Sequence, residues 1–270
     1  MPKPMINAED FKLQESLGKI KHIIIVMSGK GGVGKSTVSS NIAMALSMKG
    51  YQTGIMDVDI TGPNIPKMFG VEYEQLDVQD ESLIPVLVPP SLKVISMEFL
   101  LPNKDSAIVW RGPVKGTAIR QFIEDVKWGD LDYLVVDMPP GTGDEAISVA
   151  QLMKKADGIV LVTTPQDVAL MDCRKTVTFS AQVEIPIIGL IENMSGFVCP
   201  HCGEITEIFK SGGGVATAKN MNIQFLGKIP IEPKIVDSGD SGMPIVIDAP
   251  ESESAKAFNT IVDKIIKTVE

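Results

Sequence analysis

His22-Ile23-Ile24-Ile25-Val26-Met27-Ser28 runs into Gly29-Lys30-Gly31-Gly32-Val33-Gly34-Lys35-Ser36, and Thr37 to Lys49 follows with a helical pattern. The apolar, β-branched run reads as a strand buried on both faces. The glycine-rich segment satisfies G-x-x-x-x-G-K-[ST] between a strand and a helix, which is the context that makes this spacing a phosphate-binding loop. Its glycines let successive backbone N–H groups turn inward around phosphate oxygens, and the helix N-terminus adds partial positive charge. Lys35 is placed to reach the β and γ phosphates, and Ser36 to ligate Mg²⁺ through its hydroxyl.

Working outward, Val- and Ile-rich runs at Gly54 to Val58, Leu92 to Met97, Tyr133 to Met138, Gly158 to Thr164 and Ile185 to Glu192 alternate with helical patterns. The helices are expected at Val114 to Val126, Asp144 to Lys155, Val168 to Val183 and Ser252 to Val269. This rhythm predicts an α/β fold with a doubly wound, mostly parallel sheet of the P-loop NTPase kind, whose ligands bind at strand C-termini. Val71 to Ser91, acidic and proline-bearing, reads as an excursion from the sheet. Residues 1–20 are expected to form a flexible segment ahead of one domain over 21–270.

The net charge of −9 disfavours nonspecific attraction to nucleic acid. No apolar run reaches the ~18 residues of a membrane-spanning helix. Met1 to Lys21 lacks the apolar core of a signal peptide, so a cytoplasmic protein is expected.

Asp137 ends the apolar run Leu134-Val135-Val136, where a carboxylate beside a phosphate loop holds the metal through its water shell. Asp57 and Asp59 end another strand and share a face if that strand continues. A carboxylate there can orient the water that attacks a phosphoryl group. Cys199-Pro200-His201-Cys202 supplies two thiolates where a four-iron cluster or a structural zinc takes four ligands. Thiolate ligation alone leaves cluster and bridging zinc both open, alongside a redox pair and a turn with incidental cysteines. Cys173, in a helical pattern, reads as a small buried side chain, and His201 as a solvent-facing neighbour of the pair.

Gly29 to Thr37, with Lys30 inside the loop, resembles the deviant phosphate loop of the MinD, ParA and nitrogenase iron protein superfamily. Within it the chain is similar to the Mrp/ApbC group of iron-sulfur cluster carriers. That likeness rests on Asp57-Val58-Asp59-Ile60-Thr61-Gly62-Pro63-Asn64, Trp110-Arg111-Gly112-Pro113, Asp137-Met138-Pro139-Pro140-Gly141-Thr142-Gly143-Asp144 and Asn193 through Cys202. The resemblance implies that Lys30 reaches the phosphates of a partner subunit, that Asp59 positions water, that Asp137 stands on the Mg²⁺ side and that Asn193 contacts adenine. It makes Asp137 to Asp144 a switch that senses the γ-phosphate, with lesser roles for Asp57 and Asp144. It further implies an ATPase homodimer with a bridging [4Fe-4S] cluster on Cys199 and Cys202, taken from a donor and passed to apo iron-sulfur proteins. Neither nucleic acid nor membrane is an expected partner. Two other roles share this superfamily's dimer: a MinD- or ParA-type spatial regulator, and a reductase with a bridging cluster.

Overall fold

The computed structural model describes residues 8–60, 62–100, 112–199 and 201–270. Thr61, Pro200 and the Trp110-Arg111 pair, all members of the motifs above, lie outside the described residues, as do residues 1–7. The first half of the chain holds α1 (Ala8–Leu17), β1 (Ile20–Ser28), α2 (Lys35–Met48), β2 (Thr53–Asp57), α3 (Ile65–Met68), β3 (Asp77–Gln79), β4 (Ser82–Ile84), β5 (Val86–Val88), β6 (Leu92–Ser96), α4 (Gly112–Glu124) and β7 (Leu131–Asp137). The second half holds α5 (Asp144–Leu152), β8 (Gly158–Thr163), α6 (Asp167–Gln182), β9 (Ile187–Glu192), β10 (Phe197–Val198), β11 (Ile205–Thr206), α7 (Gly213–Asn220), β12 (Phe225–Lys228), α8 (Pro233–Ser241), α9 (Ile245–Asp248) and α10 (Glu253–Val269).

The main sheet runs β12-β9-β8-β1-β7-β2-β6-β5, parallel except where β5 meets β6. Strand β1 is buried on both faces because its side chains alternate between two cores. Ile23, Ile25 and Met27 join α4, α5 and α6 residues such as Phe122, Val149 and Phe179, whereas Ile24 and Val26 join Ile42 of α2 and Phe258 of α10. The chain leaves β1 toward β2 on one side, while β8, β9 and β12 extend the other. The phosphate loop therefore stands at the point where the winding reverses, which is where open α/β sheets form their ligand crevice.

The structure departs from the sequence pattern in three places. Residues 8–17 of the segment expected to be flexible form a helix whose Leu17 is buried in the core. There the Ser16 hydroxyl lies 2.9 Å from both the Ile123 and Val126 carbonyl oxygens, groups left over near the end of α4. Within Val71 to Ser91 the β3–β4 hairpin is an excursion, yet β5 returns to pair antiparallel at the sheet edge. Strand β12 had no sequence signal, since four residues with one glycine carry too little periodicity to register.

Ser252 caps α10 by accepting the Ala255 N–H at 3.1 Å, and Ala255, Phe258, Ile261, Val262 and Ile265 face the core. Phe258 is fully buried. Phe258→Ala is expected to lower stability by about 3–5 kcal/mol, read as a fall in the urea midpoint at constant slope.

Candidate functional site

The phosphate loop is shaped from both sides. Gly32 (φ +79°) and Gly34 (φ +82°) take left-handed backbone that a side chain disfavours. Gly29 is required by contact instead, because a Cβ there would lie 2.4 Å from the Asp172 carbonyl carbon on α6. Gly34 stands at the N-cap of α2 with no side chain to cap it, which leaves the first helical N–H groups directed at the loop. The Ser28 hydroxyl donates to the Lys30 carbonyl at 2.9 Å. A cavity of about 230 Å³ opens over Gly31, Gly32, Lys35, Ser36, Thr37 and Asp59. Val33 is buried beneath the loop. Lys30 is half-buried and does not line this cavity of its own chain.

Asp137, fully buried at the end of β7, accepts from Lys35 Nζ at 2.8 Å and the Ser36 hydroxyl at 2.7 Å through Oδ2. Its Oδ1 accepts from the Ser39 hydroxyl at 2.6 Å. Ser39 escaped the sequence reading, although its spacing from Lys35 and Ser36 places all three on one face of α2. Asp59 Oδ2 lies 3.8 Å from Lys35 Nζ. A hydroxyl beside a buried carboxylate at the cavity wall is a hard-oxygen set suited to Mg²⁺, which takes its remaining ligands from phosphate and water. Among the described residues no group of three or more His, Cys, Asp or Glu could hold a metal ion.

Asp57 departs from the expectation that it pairs with Asp59 on one face. The strand ends at Asp57, and the chain turns so that the Asp59 N–H donates to Asp57 Oδ1 at 3.1 Å. Ser96 Oγ donates to the other oxygen at 3.0 Å. Burial, with the nearby Asp137 charge second, pushes the Asp57 carboxyl up to about 8. One carboxylate thus organises the turn and the other faces the cavity. The Asp137 to Asp144 loop lies against the end of β1, with the Gly141 N–H donating to the Ser28 carbonyl at 2.9 Å. Pro140 lines the loop cavity, and Asp144, the first residue of α5, does not.

A second cavity of about 400 Å³ adjoins the first and shares Gly34, Thr37, Asn64 and Met68 with its lining. Asn193, one residue beyond β9, lines it, and its Nδ2 donates to the Val33 carbonyl at 2.8 Å. With that nitrogen committed to the loop, Oδ1 is the acceptor left for a base amino group. Met68, Ile235 and Val236 make the rest largely apolar, a shape and polarity suited to a purine.

Six residues past Asn193, Cys199 follows β10 and begins the turn of the β10–β11 hairpin. Its N–H donates to the Glu204 carbonyl at 3.0 Å, its carbonyl accepts from the Gly203 N–H at 2.9 Å, and Gly203 takes φ +74° to close the turn. Cys199 is half-buried and Cys202 exposed, both as free thiols. The backbone N–H groups of His201 and Cys202, and then the Cys202 thiol, hold the Cys199 thiol below its ordinary value, which favours the thiolate that binds metals. His201 is exposed. Burial pushes the Cys173 thiol up to about 12, the state of an inert core cysteine.

Residues 19–266 match the ParA family model described as NUBPL iron-transfer P-loop NTPase. The chain is 48% identical over 98% of its length to 90% of an iron-sulfur cluster carrier protein from Saccharolobus solfataricus. Over 83% of its length it is 52% identical to 82% of a cytosolic Fe-S cluster assembly factor from Kluyveromyces lactis. Among solved structures it superposes on a nucleotide-binding protein from Archaeoglobus fulgidus in complex with ADP, with a TM-score of 0.79 and 39% identity, covering 92% of this chain and 96% of that one.

Because the Asp57 value is raised on folding, its protonation stabilises the native state fully below the ordinary carboxylate range, and that contribution is lost as pH rises toward about 8. Asp57→Asn is expected to flatten this decline. Thermal melts of both proteins from acid to pH 8 in the absence of nucleotide check it, and parallel slopes would exclude Asp57 as the source.

Proposed function

The chain belongs to the family of NUBPL iron-transfer P-loop NTPases, and from that premise we propose that it is an ATP-hydrolysing homodimer that carries a [4Fe-4S] cluster and hands it to apo iron-sulfur proteins. The observation that carries the reading is the pair of free thiols at Cys199 and Cys202, one held toward thiolate, on the segment that leads from the nucleotide-side Asn193. One chain offers two thiolates and a four-iron cluster takes four, so a second copy completes the set. The names of the two relatives, a cluster carrier and a cluster assembly factor, support cluster cargo over zinc.

In this reading the loop N–H groups and Lys35 hold the β and γ phosphates. Bound Mg²⁺ would be held by Ser36 and, through water, Asp137, and would neutralise charge building between those phosphates. Asp59 lies on the cavity wall 3.8 Å from Lys35 Nζ, where its carboxylate can orient the attacking water. Lys30, which does not line its own cavity, serves the phosphates of the second copy, a cation supplied in trans. Asn193 receives the adenine amino group on Oδ1.

A membrane- or DNA-bound regulator is less well supported. The apolar face of α10 is consumed by the core, which leaves no amphipathic surface there for a lipid interface. No helix among the described residues is long and apolar enough to cross a membrane, and the chain is acidic overall. A reductase role is disfavoured by thiols that sit together in one C-x-x-C. The relative from Kluyveromyces named as cytosolic and the free thiols support a cytoplasmic setting.

Anaerobic reconstitution with iron and sulfide is expected to load about four iron and four sulfide per dimer. Cys199→Ala/Cys202→Ala should load neither, while stoichiometric zinc in the wild type would refute the cluster assignment. Lys35→Ala is expected to slow ATP hydrolysis by about 100-fold or more. Lys30→Ala should do the same through loss of the cation across the dimer, and mixing it with Asp59→Ala should restore part of the rate if Lys30 acts in trans.

A further inference from the structure

Glu192 is the last residue of β9 and is fully buried. A buried carboxylate is tolerated only when its oxygens are met by donors, and here both are. Oε1 accepts from the Ser195 hydroxyl and from the Gly212 N–H at 2.9 Å, while Oε2 accepts from the Gly214 N–H in the first turn of α7. Space is committed as tightly as charge, since a Cβ on Gly214 would lie 2.9 Å from Oε2.

These donors bracket the cysteine hairpin. Ser195 precedes β10, and Gly212 and Gly214 follow β11, so one carboxylate closes both stems of the excursion that carries Cys199 and Cys202. On its other side Glu192 is bonded to Asn193, which grips the phosphate loop through Val33. The entering stem is further laced to the wall of the larger cavity. Ser195 N–H donates to Ile229 O at 2.9 Å, Ile231 N–H to Gly196 O at 2.7 Å, and Val198 N–H to Ile231 O at 3.2 Å. Ile231 itself lines that cavity.

We propose that Glu192 is a positioning residue that transmits the nucleotide state of the phosphate loop to the cysteine hairpin, by holding Asn193 and both hairpin stems as one unit. The inference rests on the nucleotide and cysteine sites of the proposed carrier. Glu192→Gln preserves shape but sets an NH₂ group against the N–H of either Gly212 or Gly214, so the exiting stem loses one of its two bonds to this side chain while the backbone pairing of β10 with β11 remains. Ser195→Ala removes a donor without introducing repulsion.

The test needs no cluster. Maleimide alkylation of Cys199 and Cys202 in the unloaded full chain is followed by peptide mass spectrometry without nucleotide, with Mg-ADP, and with Mg²⁺ and a non-hydrolysable ATP analogue. Buried Cys173 is the silent control. In the wild type the rate is expected to differ by about fivefold between the two nucleotides. Glu192→Gln keeps nucleotide affinity by calorimetry and the nucleotide-free alkylation rate, and loses the difference; Ser195→Ala shows a reduced one. Full nucleotide dependence in Glu192→Gln overturns the proposal. Thiols that react at the rate of an unstructured cysteine in every state of that variant also overturn it, in favour of a purely structural role. A wild type that binds nucleotide with indifferent thiols refutes the coupling and leaves the carrier reading standing, whereas one that binds no nucleotide refutes both.

Discussion

A carboxylate at the inner end of a central strand has no water to turn to, and Asp137 is such a group. It is satisfied by three donors, the ammonium of Lys35 and the hydroxyls of Ser36 and Ser39, all carried by α2. Meeting that demand fixes the rotation and height of α2 against β7, and with it the span that Gly29 to Gly34 must bridge from β1. The glycines follow from the bridge: left-handed backbone at Gly32 and Gly34, and close approach to α6 at Gly29. Taking Lys35 away would leave a buried carboxylate short of its cation, at a cost of about 3–5 kcal/mol. The lysine proposed to hold phosphate is also one that secures the fold.

The same economy divides the two neighbouring carboxylates. Asp57 is fully buried, and loss of hydration, with the nearby Asp137 charge second, makes it retain its proton to higher pH. Its hydrogen bonds with Asp59 and Ser96 hold the turn that aims Asp59 back at Lys35. A scaffold carboxyl and a carboxylate on the cavity wall thus come from residues two apart, separated by burial.

The cysteine hairpin lies outside the main sheet, and among the described residues its strands pair at the Phe197–Thr206 and Val198–Ile205 steps. A two-step hairpin is marginal alone. Its position is inherited from Glu192 and from the lacing of residues 195–198 to residues 229–231. Those groups also flank Asn193 and the larger cavity, so the shape of that cavity and the thiol positions are set by overlapping hydrogen bonds.

The strand and helix order was legible because long runs with strict period carry their own burial pattern. His22 to Ser28, Tyr133 to Met138 and Ser252 to Val269 each fell within two or three residues of the observed elements. The phosphate loop was legible for a related reason, since its backbone shape demands glycine at set positions and its chemistry demands Lys-Ser beside them. Strand β12, the helix Ala8–Leu17 and the edge strand β5 were not, because they are short or weakly amphipathic and are defined by partners distant in sequence, such as Ile123 and Val126 for Ser16. Among the site residues, sequence placed Lys35, Ser36 and Asp137 in one crevice. Residue type and spacing alone could not separate Asp57 from Asp59, detect Ser39, or single out Glu192, for these placements depend on depth of burial and on which donors the fold brings within 3 Å or so. Local sequence dictates conformation and the kinds of groups on offer, but solvation and long-range hydrogen bonding exist only once the sheet has closed over them.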